Sequence, residues 1–342
     1  MKSELVKNMS EQKIDQSFYR LLKQHDADFN VLKCSKLKGD ASTRMYFRLI
    51  GENTSYLIQQ NVDTVYLSRT QQCELFCLRS SELQKIGIPT PVIFQRDKSA
   101  GLLLQQDLGD ANLQSQYQAN EDLSLYEGAI DLLYTLKLAS DKNDRSFYPQ
   151  FTKETYLKEM QELLVWHGQK FTLSDEDRHS MTLFFELVAN DLSLEDLVLC
   201  HRDFHSRNLM YFNKQLYVID FQDMFLGHAF YDLVSLLWDP YAKLKPEQRA
   251  KLLDYWHEKK YSAVEKKINY KALYASALQR IFKAMTSYAK FFVRDSNTAY
   301  LDSFYNAFSQ VEALLELYKG DVSKSKLFNS ALKRLVEQYK KD

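Results

Sequence analysis

Glycine is scarce in this chain, nine in 342 residues, and proline scarcer still at five. A barrel or sandwich of many short strands turns on such residues, so an all-β architecture is disfavoured. Long disordered linkers, built from proline, glycine and polar residues, are disfavoured on the same ground. Net charge is absent as well: 45 Lys and Arg balance 45 Asp and Glu. A non-specific nucleic-acid binder is expected to be basic, which sets that class aside. No apolar run approaches the roughly 18 residues that cross a bilayer, so no membrane association is expected. The opening MKSELVKNMSEQKIDQ is polar and lacks the apolar stretch of a secretory signal. Cysteine is limited to Cys34, Cys73, Cys77 and Cys200. Cys73 and Cys77 share an i, i+4 spacing, but no histidine or second cysteine pair completes a zinc set. Reduced, buried thiols and a cytoplasmic location are expected. What is abundant is aromatic: 22 Tyr and 21 Phe, enough to fill helical cores. The length allows two compact domains, or one domain of two lobes.

The texture changes near residue 107. Before it, Met45–Ile50 and Ser55–Gln60 read as strands around a Gly51-Glu52-Asn53 turn. A helix is predicted over Arg69–Lys85, with Leu75, Leu78, Leu83 and Ile86 as its apolar stripe. It stops on Lys85, Gly87 and Pro89: a cation in the last turn, a glycine cap and a following proline. A second hairpin is expected from 91–95 and 101–105. The order is β-β-α-β-β, preceded by a helix near 11–24. After residue 107 the periodicity is helical, first on a stripe of Leu123, Tyr126, Ile130, Leu133 and Leu136 or Leu138. Further helices are expected at 153–168, 174–190, 231–239, 246–259, 269–293, 298–318 and 325–341. The last carries a stripe of Phe328, Ala331, Leu332, Leu335, Val336 and Tyr339, which predicts packing rather than binding of an acidic partner.

One interruption breaks the helices. A strand at 197–200 enters the loop His201-Arg202-Asp203-Phe204-His205-Ser206-Arg207-Asn208, and a hairpin over 209–219 returns to Asp220-Phe221. The spacing is H-R-D-x-x-x-x-N followed by Asp-Phe. Phosphoryl transfer needs a carboxylate at the attacking hydroxyl, here Asp203. It also needs hard oxygen donors for magnesium, here the Asn208 amide and the Asp220 carboxylate. The hairpin is the right length to return Asp220 beside Asn208.

With Gly39-Asp40-Ala41-Ser42-Thr43-Arg44-Met45-Tyr46-Phe47-Arg48 and Tyr231-Asp232-Leu233-Val234-Ser235, these blocks resemble the aminoglycoside phosphotransferase and choline kinase branch of the protein-kinase-like fold. Within it the chain is most similar to the bacterial anomeric kinases of N-acetylmuramate and N-acetylglucosamine, which act in cell-wall recycling. The resemblance spans roughly residues 15–320. It implies an α+β fold of two lobes. Residues 1–106 would form a nucleotide-binding lobe, a small antiparallel sheet with one main helix. Residues 107–342 would form a large helical lobe with the catalytic loop and substrate pocket. It implies ATP as donor, Mg2+ as cofactor and a sugar as acceptor. Asp203 would be the catalytic carboxylate, and Asn208 and Asp220 the metal ligands. His201 and Asp232 would brace the loop, and His205, Arg207 and Asp223 would neighbour the sugar. Gly39, Ser42, Thr43 and Arg44 would cradle phosphates, and main-chain groups around Gln106 and Leu108, at the hinge, would pair with adenine.

Two departures matter. The third strand of kinases carries a lysine paired to a helix glutamate; Ser55–Gln60 has none, so Glu74 lacks that partner. Arg44 or Arg48 is the expected substitute. Only twelve positions separate Asp220 from Asp232, with no A-P-E after them, which leaves no peptide-docking segment. A small-molecule kinase is expected; choline, an aminoglycoside or homoserine are the alternative acceptors, and a non-catalytic nucleotide-binding regulator the alternative of another class.

Overall fold

The computed structural model describes residues 15–37, 44–140, 145–192, 197–261, 268–318 and 320–341. They form two compact units, one from the described residues up to Lys85 with Pro89–Asp110, the other from Ile86–Ile88 and the described residues after Asp110.

The first unit is a five-stranded antiparallel sheet, in spatial order β1 (Lys33–Lys36), β2 (Met45–Ile50), β3 (Ser55–Gln60), β5 (Leu102–Gln106) and β4 (Ile93–Asp97), with two helices. Helix α1, Gln16–His25, starts on Asp15, whose carboxylate accepts the Ser17 N–H at 2.8 Å. The part of the expected helix at 11–14 lies outside the described residues. Strand β1, Lys33–Lys36, is absent from the sequence expectation: its four residues carry no apolar alternation. It pairs with β2 at the sheet edge, where lysines discourage further pairing. Strands β2 (Met45–Ile50) and β3 (Ser55–Gln60) and helix α2 (Arg69–Lys85) run over the expected residues. The buried face of α2 differs from the expected stripe. It holds Cys73, Phe76, Ser80 and Leu83, while Leu78 points to solvent.

Strands β4 (Ile93–Asp97) and β5 (Leu102–Gln106) start later than expected, with a bulge between Ile93 and Gln95. Gly101 closes their turn at φ +73°, and a Cβ there would stand 2.7 Å from the Asn61 carbonyl oxygen. Phe18, Leu21, Leu22, Phe29, Leu49, Ile58, Leu102 and Leu104 form the core. On the other face, buried Gln59 accepts from Gln105 at 2.6 Å and donates to Asn61 at 3.0 Å; Asn61 donates on to Cys73 Sγ and the Gly101 carbonyl. A satisfied amide chain thus occupies the strand on which kinases place their lysine. Glu74 has turned outward to Lys98, at 2.7 Å and half exposed, an ion pair of little energetic weight.

The second unit is mostly helical. Its elements are α3 (Leu113–Asn120), α4 (Ser124–Ser140), α5 (Lys153–His167), α6 (Asp175–Asp191), β6 (Leu197–Cys200), β7 (Leu209–Phe212), β8 (Gln215–Val218), β9 (Phe225–His228), α7 (Tyr231–Leu237), α8 (Pro246–Tyr261), α9 (Tyr270–Asp295), α10 (Leu301–Leu317) and α11 (Val322–Lys341). Side-chain caps from Asn112, Thr152 and Ser174 start α3, α5 and α6. Helix α3 was not expected, because LQSQYQAN buries only Leu113 and Tyr117. In α4 it is Leu136, not Leu138, that faces inward. Helix α9 spans about 39 Å at 1.5 Å per residue and packs against α5, α6, α7 and α10. The whole expected stripe of α11 is buried, against α6 and α10. Among the described residues no helix is long and apolar enough to cross a membrane.

His167, at the end of α5, is fully buried among Phe171 and Tyr339, with no hydrogen-bond partner on either ring nitrogen among the described residues. Burial pushes it down to about 4. The unfolded chain takes up that proton near pH 6.5 and the folded chain does not. Stability contributed by the neutral ring is therefore complete above pH 6.5 and falls as pH drops toward 4, by about 1.4 kcal/mol per unit at most. Denaturant unfolding at pH 7.0 and 5.0 should show the decline, and His167→Phe should make it shallower. An equal decline in both proteins would disprove this origin.

Candidate active site

Two short ribbons hold the loop at 201–208. Strand β6 pairs antiparallel with β9, Cys200 opposite Phe225. Strands β7 and β8 form a hairpin whose turn, Asn213-Lys214, has positive φ at both residues, the type I′ geometry that suits strand twist. Strand β9 was not expected; FLGH shows no alternation because all four residues are buried.

The loop is tied at both ends by buried carboxylates. Asp232, in the first turn of α7, accepts the main-chain N–H of His201 at 2.5 Å and of Arg202 at 3.1 Å. Burial raises its pKa, while His201 and the two N–H groups oppose that rise. Asp239 accepts the main-chain N–H of Ser206 at 2.9 Å and its hydroxyl. His201 spans the middle, with Nε2 2.9 Å from the Ile219 carbonyl and Nδ1 accepting from the Asp203 N–H at 3.3 Å. Arg202 is held at φ +86° and Asp220 at +62°, left-handed conformations that cost about 1–3 kcal/mol in non-glycine residues and persist only where surroundings impose them.

Asp203 therefore stands on a fixed main chain. Its Oδ1 accepts from Lys283 Nζ at 2.9 Å and lies 3.5 Å from the Arg280 guanidinium. Its Oδ2 has no hydrogen-bond partner among the described residues, and the side chain is 35% exposed. Burial would raise this carboxyl, but Lys283 and Arg280 outweigh it and hold the pKa well below the usual carboxylate range. Arg280 is itself fixed by Ser235 at 2.5 Å and lies over the Tyr231 ring. Glu159 on α5 accepts from Gln279 at 2.8 Å and lies 3.5 Å from Arg202.

Asn208 donates its amide N–H to the Asp203 carbonyl at 2.9 Å, and its main-chain carbonyl accepts from Ile219 at 3.1 Å. The amide oxygen is left without a partner among the described residues, and Asp220 follows Ile219 directly. One carboxylate and one amide oxygen, completed by phosphate and water oxygens, is a donor set that suits magnesium. Among the described residues no group of three or more His, Cys, Asp or Glu is placed to hold a metal ion by itself.

The phosphotransferase enzyme family matches residues 33–266. The chain belongs to this family, and it is a phosphotransferase. It is 26% identical over 285 residues to the N-acetylmuramate/N-acetylglucosamine kinase of Pseudomonas putida, covering 81% of each chain. To the kinase of the same name from Caulobacter vibrioides it is 25% identical over 317 residues, covering 80% of this chain and 85% of that one. The fold is that of a choline/ethanolamine kinase family protein from Mesorhizobium loti, with a TM-score of 0.63 at 14% identity over 92% of this chain and all of the other. A spectinomycin phosphotransferase solved with ADP and spectinomycin matches with a TM-score of 0.57 at 17% identity, over 87% and 95% of the two chains.

Seen as a family member, the chain disposes its remaining motif residues unevenly. Gly39, Ser42 and Thr43 lie outside the described residues; Arg44, half-buried, immediately precedes β2. Arg48 is committed elsewhere: its guanidinium meets Asp107 at 2.8 Å, Asp110 at 2.9 Å and the Gly109 carbonyl at 3.1 Å. In this structure its donors therefore go to carboxylates and a carbonyl. The Gln106 N–H is taken by the Val92 carbonyl at 2.8 Å. Leu108, buried, makes no main-chain hydrogen bond among the described residues. Arg207 lies 3.7 Å over Tyr241 and donates to Gln114 at 2.9 Å. His205 sits against Tyr241 and 3.4 Å from the Asn208 amide, its pKa lowered by burial. Asp223 is exposed and accepts from Gln222 at 2.8 Å. Lys283, Arg280, Glu159 and Asp239 were missed by sequence reasoning. For α9 the available signal was two cations on the apolar face of a predicted helix.

Proposed function

We propose that the protein is an ATP- and magnesium-dependent kinase that transfers the γ-phosphoryl group to a sugar hydroxyl, the anomeric hydroxyl of N-acetylmuramate or N-acetylglucosamine, in the cytoplasm. The observation that carries the reading is Asp203, fixed at Oδ1 and open at Oδ2, on the same loop as an amide oxygen left free at Asn208. Asp203 orients the acceptor hydroxyl and receives its proton. Asn208 and Asp220 hold magnesium, which when bound neutralises charge on the phosphates. Positioning and charge stabilisation do most of the work. The relatives' names point to an amino sugar.

Phosphorus NMR of products from N-acetylmuramate, N-acetylglucosamine, choline and kanamycin tests the reading. An anomeric phosphate from the sugars is expected; phosphocholine or a phosphorylated aminoglycoside as main product would overturn it. Asn208→Ala and Asp220→Asn should each raise the magnesium concentration needed for half-maximal rate by about tenfold or more. An unchanged magnesium titration in both would remove them as ligands.

A further inference from the structure

The catalytic loop contains no lysine, and its two arginines are turned away from Asp203: Arg202 toward Glu159 and the Phe151 ring, Arg207 toward Gln114 and Tyr241. The cation beside Asp203 comes instead from α9, eighty positions downstream. Lys283 is mostly buried, with its side chain 16% exposed. Two of its three N–H groups are accounted for, by Asp203 Oδ1 at 2.9 Å and the Tyr231 hydroxyl at 3.3 Å. The third has no partner among the described residues.

A buried ammonium is costly unless it is paired, and pairs of this kind often serve only to hold a fold. Here the loop has other ties as well. Asp232 and Asp239 already fix the loop at both ends, and His201 fixes its middle. What Lys283 adds is a direct hydrogen bond to one oxygen of Asp203, Oδ1, which Arg280 approaches only to 3.5 Å. We infer that Lys283 is a positioning residue for phosphoryl transfer: it pins Oδ1 of Asp203, so that Oδ2 receives the acceptor hydroxyl. This role rests on the kinase reading above. In the step it serves, the acceptor oxygen bonds to the γ-phosphorus. The bond from that phosphorus to the β,γ-bridging oxygen breaks, ADP leaves with the electron pair, and the hydroxyl proton passes to Oδ2 of Asp203. Arg280 stands behind as the second cation, bound to Ser235 and 3.5 Å from the same oxygen.

Steady-state kinetics of ADP formation on the wild type, Lys283→Met, Lys283→Arg and Lys283→Ala test the role. Methionine keeps the volume without the charge. It should lower kcat about 10²-fold, while the KM for ATP moves less than about threefold and the unfolding temperature changes little. Arginine, which keeps the charge, should recover part of the loss. Methylamine or ethylamine should restore turnover to Lys283→Ala in a saturable way, and ethanol should not; a purely structural lysine would show no such rescue. A kcat within about threefold of wild type for Lys283→Met overturns the role while leaving the kinase reading intact. So does a loss confined to KM, or an alanine variant that no amine rescues. A wild-type protein that forms no ADP with any acceptor overturns the kinase reading and this role with it.

Discussion

Asp203→Asn should lower kcat by about 10³–10⁴-fold, at the upper end of what a positioned acid or base contributes. The amide is isosteric, and its oxygen can still meet Lys283. What it loses is an acceptor at the second position, which becomes an NH₂ group facing the acceptor hydroxyl. It loses the charge as well, so the hydroxyl proton has nowhere to go. The direction of the pKa refines the role. Lys283 and Arg280 hold the carboxyl well below its usual range despite burial. Such a carboxylate stays ionised at every working pH and is a weak base. It suits orientation of the hydroxyl and late proton transfer, which a loose phosphoryl-transfer transition state allows. The stability gained from its ion pairs is complete above the ordinary carboxyl range and declines as pH falls below about 4, where the unfolded chain takes up the proton and the folded chain does not. The variant should melt somewhat lower than wild type at neutral pH, because two cations lose their counter-charge, yet remain folded by circular dichroism. Wild-type-like ADP formation by a folded Asp203→Asn protein would defeat the proposed mechanism.

The parts that were legible in the sequence are those set by neighbouring residues. Strands β2 and β3 flank a Gly51 turn, and α2 ends on Lys85 and Gly87, so their limits follow from local chemistry. Loop residues 201–208 come together because they are contiguous. The Asn213-Lys214 turn is a local event that returns Asp220 to them. What escaped is set by distant partners. Strand β1 exists because β2 offers an edge. Strand β9 exists because β6 needs a partner in a fully buried place, where alternation carries no information. The α2 stripe was misjudged because leucine spacing alone does not say which side the sheet covers; Leu78 is exposed and Ser80 buried. Lys283 and Arg280 lie far along the chain, and their meeting with Asp203 is a product of how α9 threads the helical unit.

The largest stability effect is expected at Asp232. Its carboxylate is the acceptor for two consecutive main-chain N–H groups, those of His201 and Arg202. Asp232→Ala leaves both donors buried and unpaired, at about 1–3 kcal/mol each, so the unfolding free energy should fall by about 2–6 kcal/mol. Asp232→Asn keeps one acceptor and turns an NH₂ group toward the other N–H, so its loss should be about half as large. Activity should fall with stability, for a specific reason. Arg202 occupies φ +86° with its N–H donated to Asp232 at 3.1 Å. Once released, its main chain relaxes toward negative φ and carries Asp203 with it. A shift of about 1 Å at the reacting group costs on the order of 10²-fold in rate. Asp295→Asn is the matching control, since that exposed carboxylate pairs only with neighbouring Arg294 at 2.6 Å among the described residues and should cost under about 0.5 kcal/mol. Urea unfolding and kcat measured on the same preparations decide the matter. An alanine variant as stable and as fast as the Asp295→Asn control would mean that the loop holds its shape without Asp232. The positive φ of Arg202 would then have to be maintained by Asp239 and His201 alone.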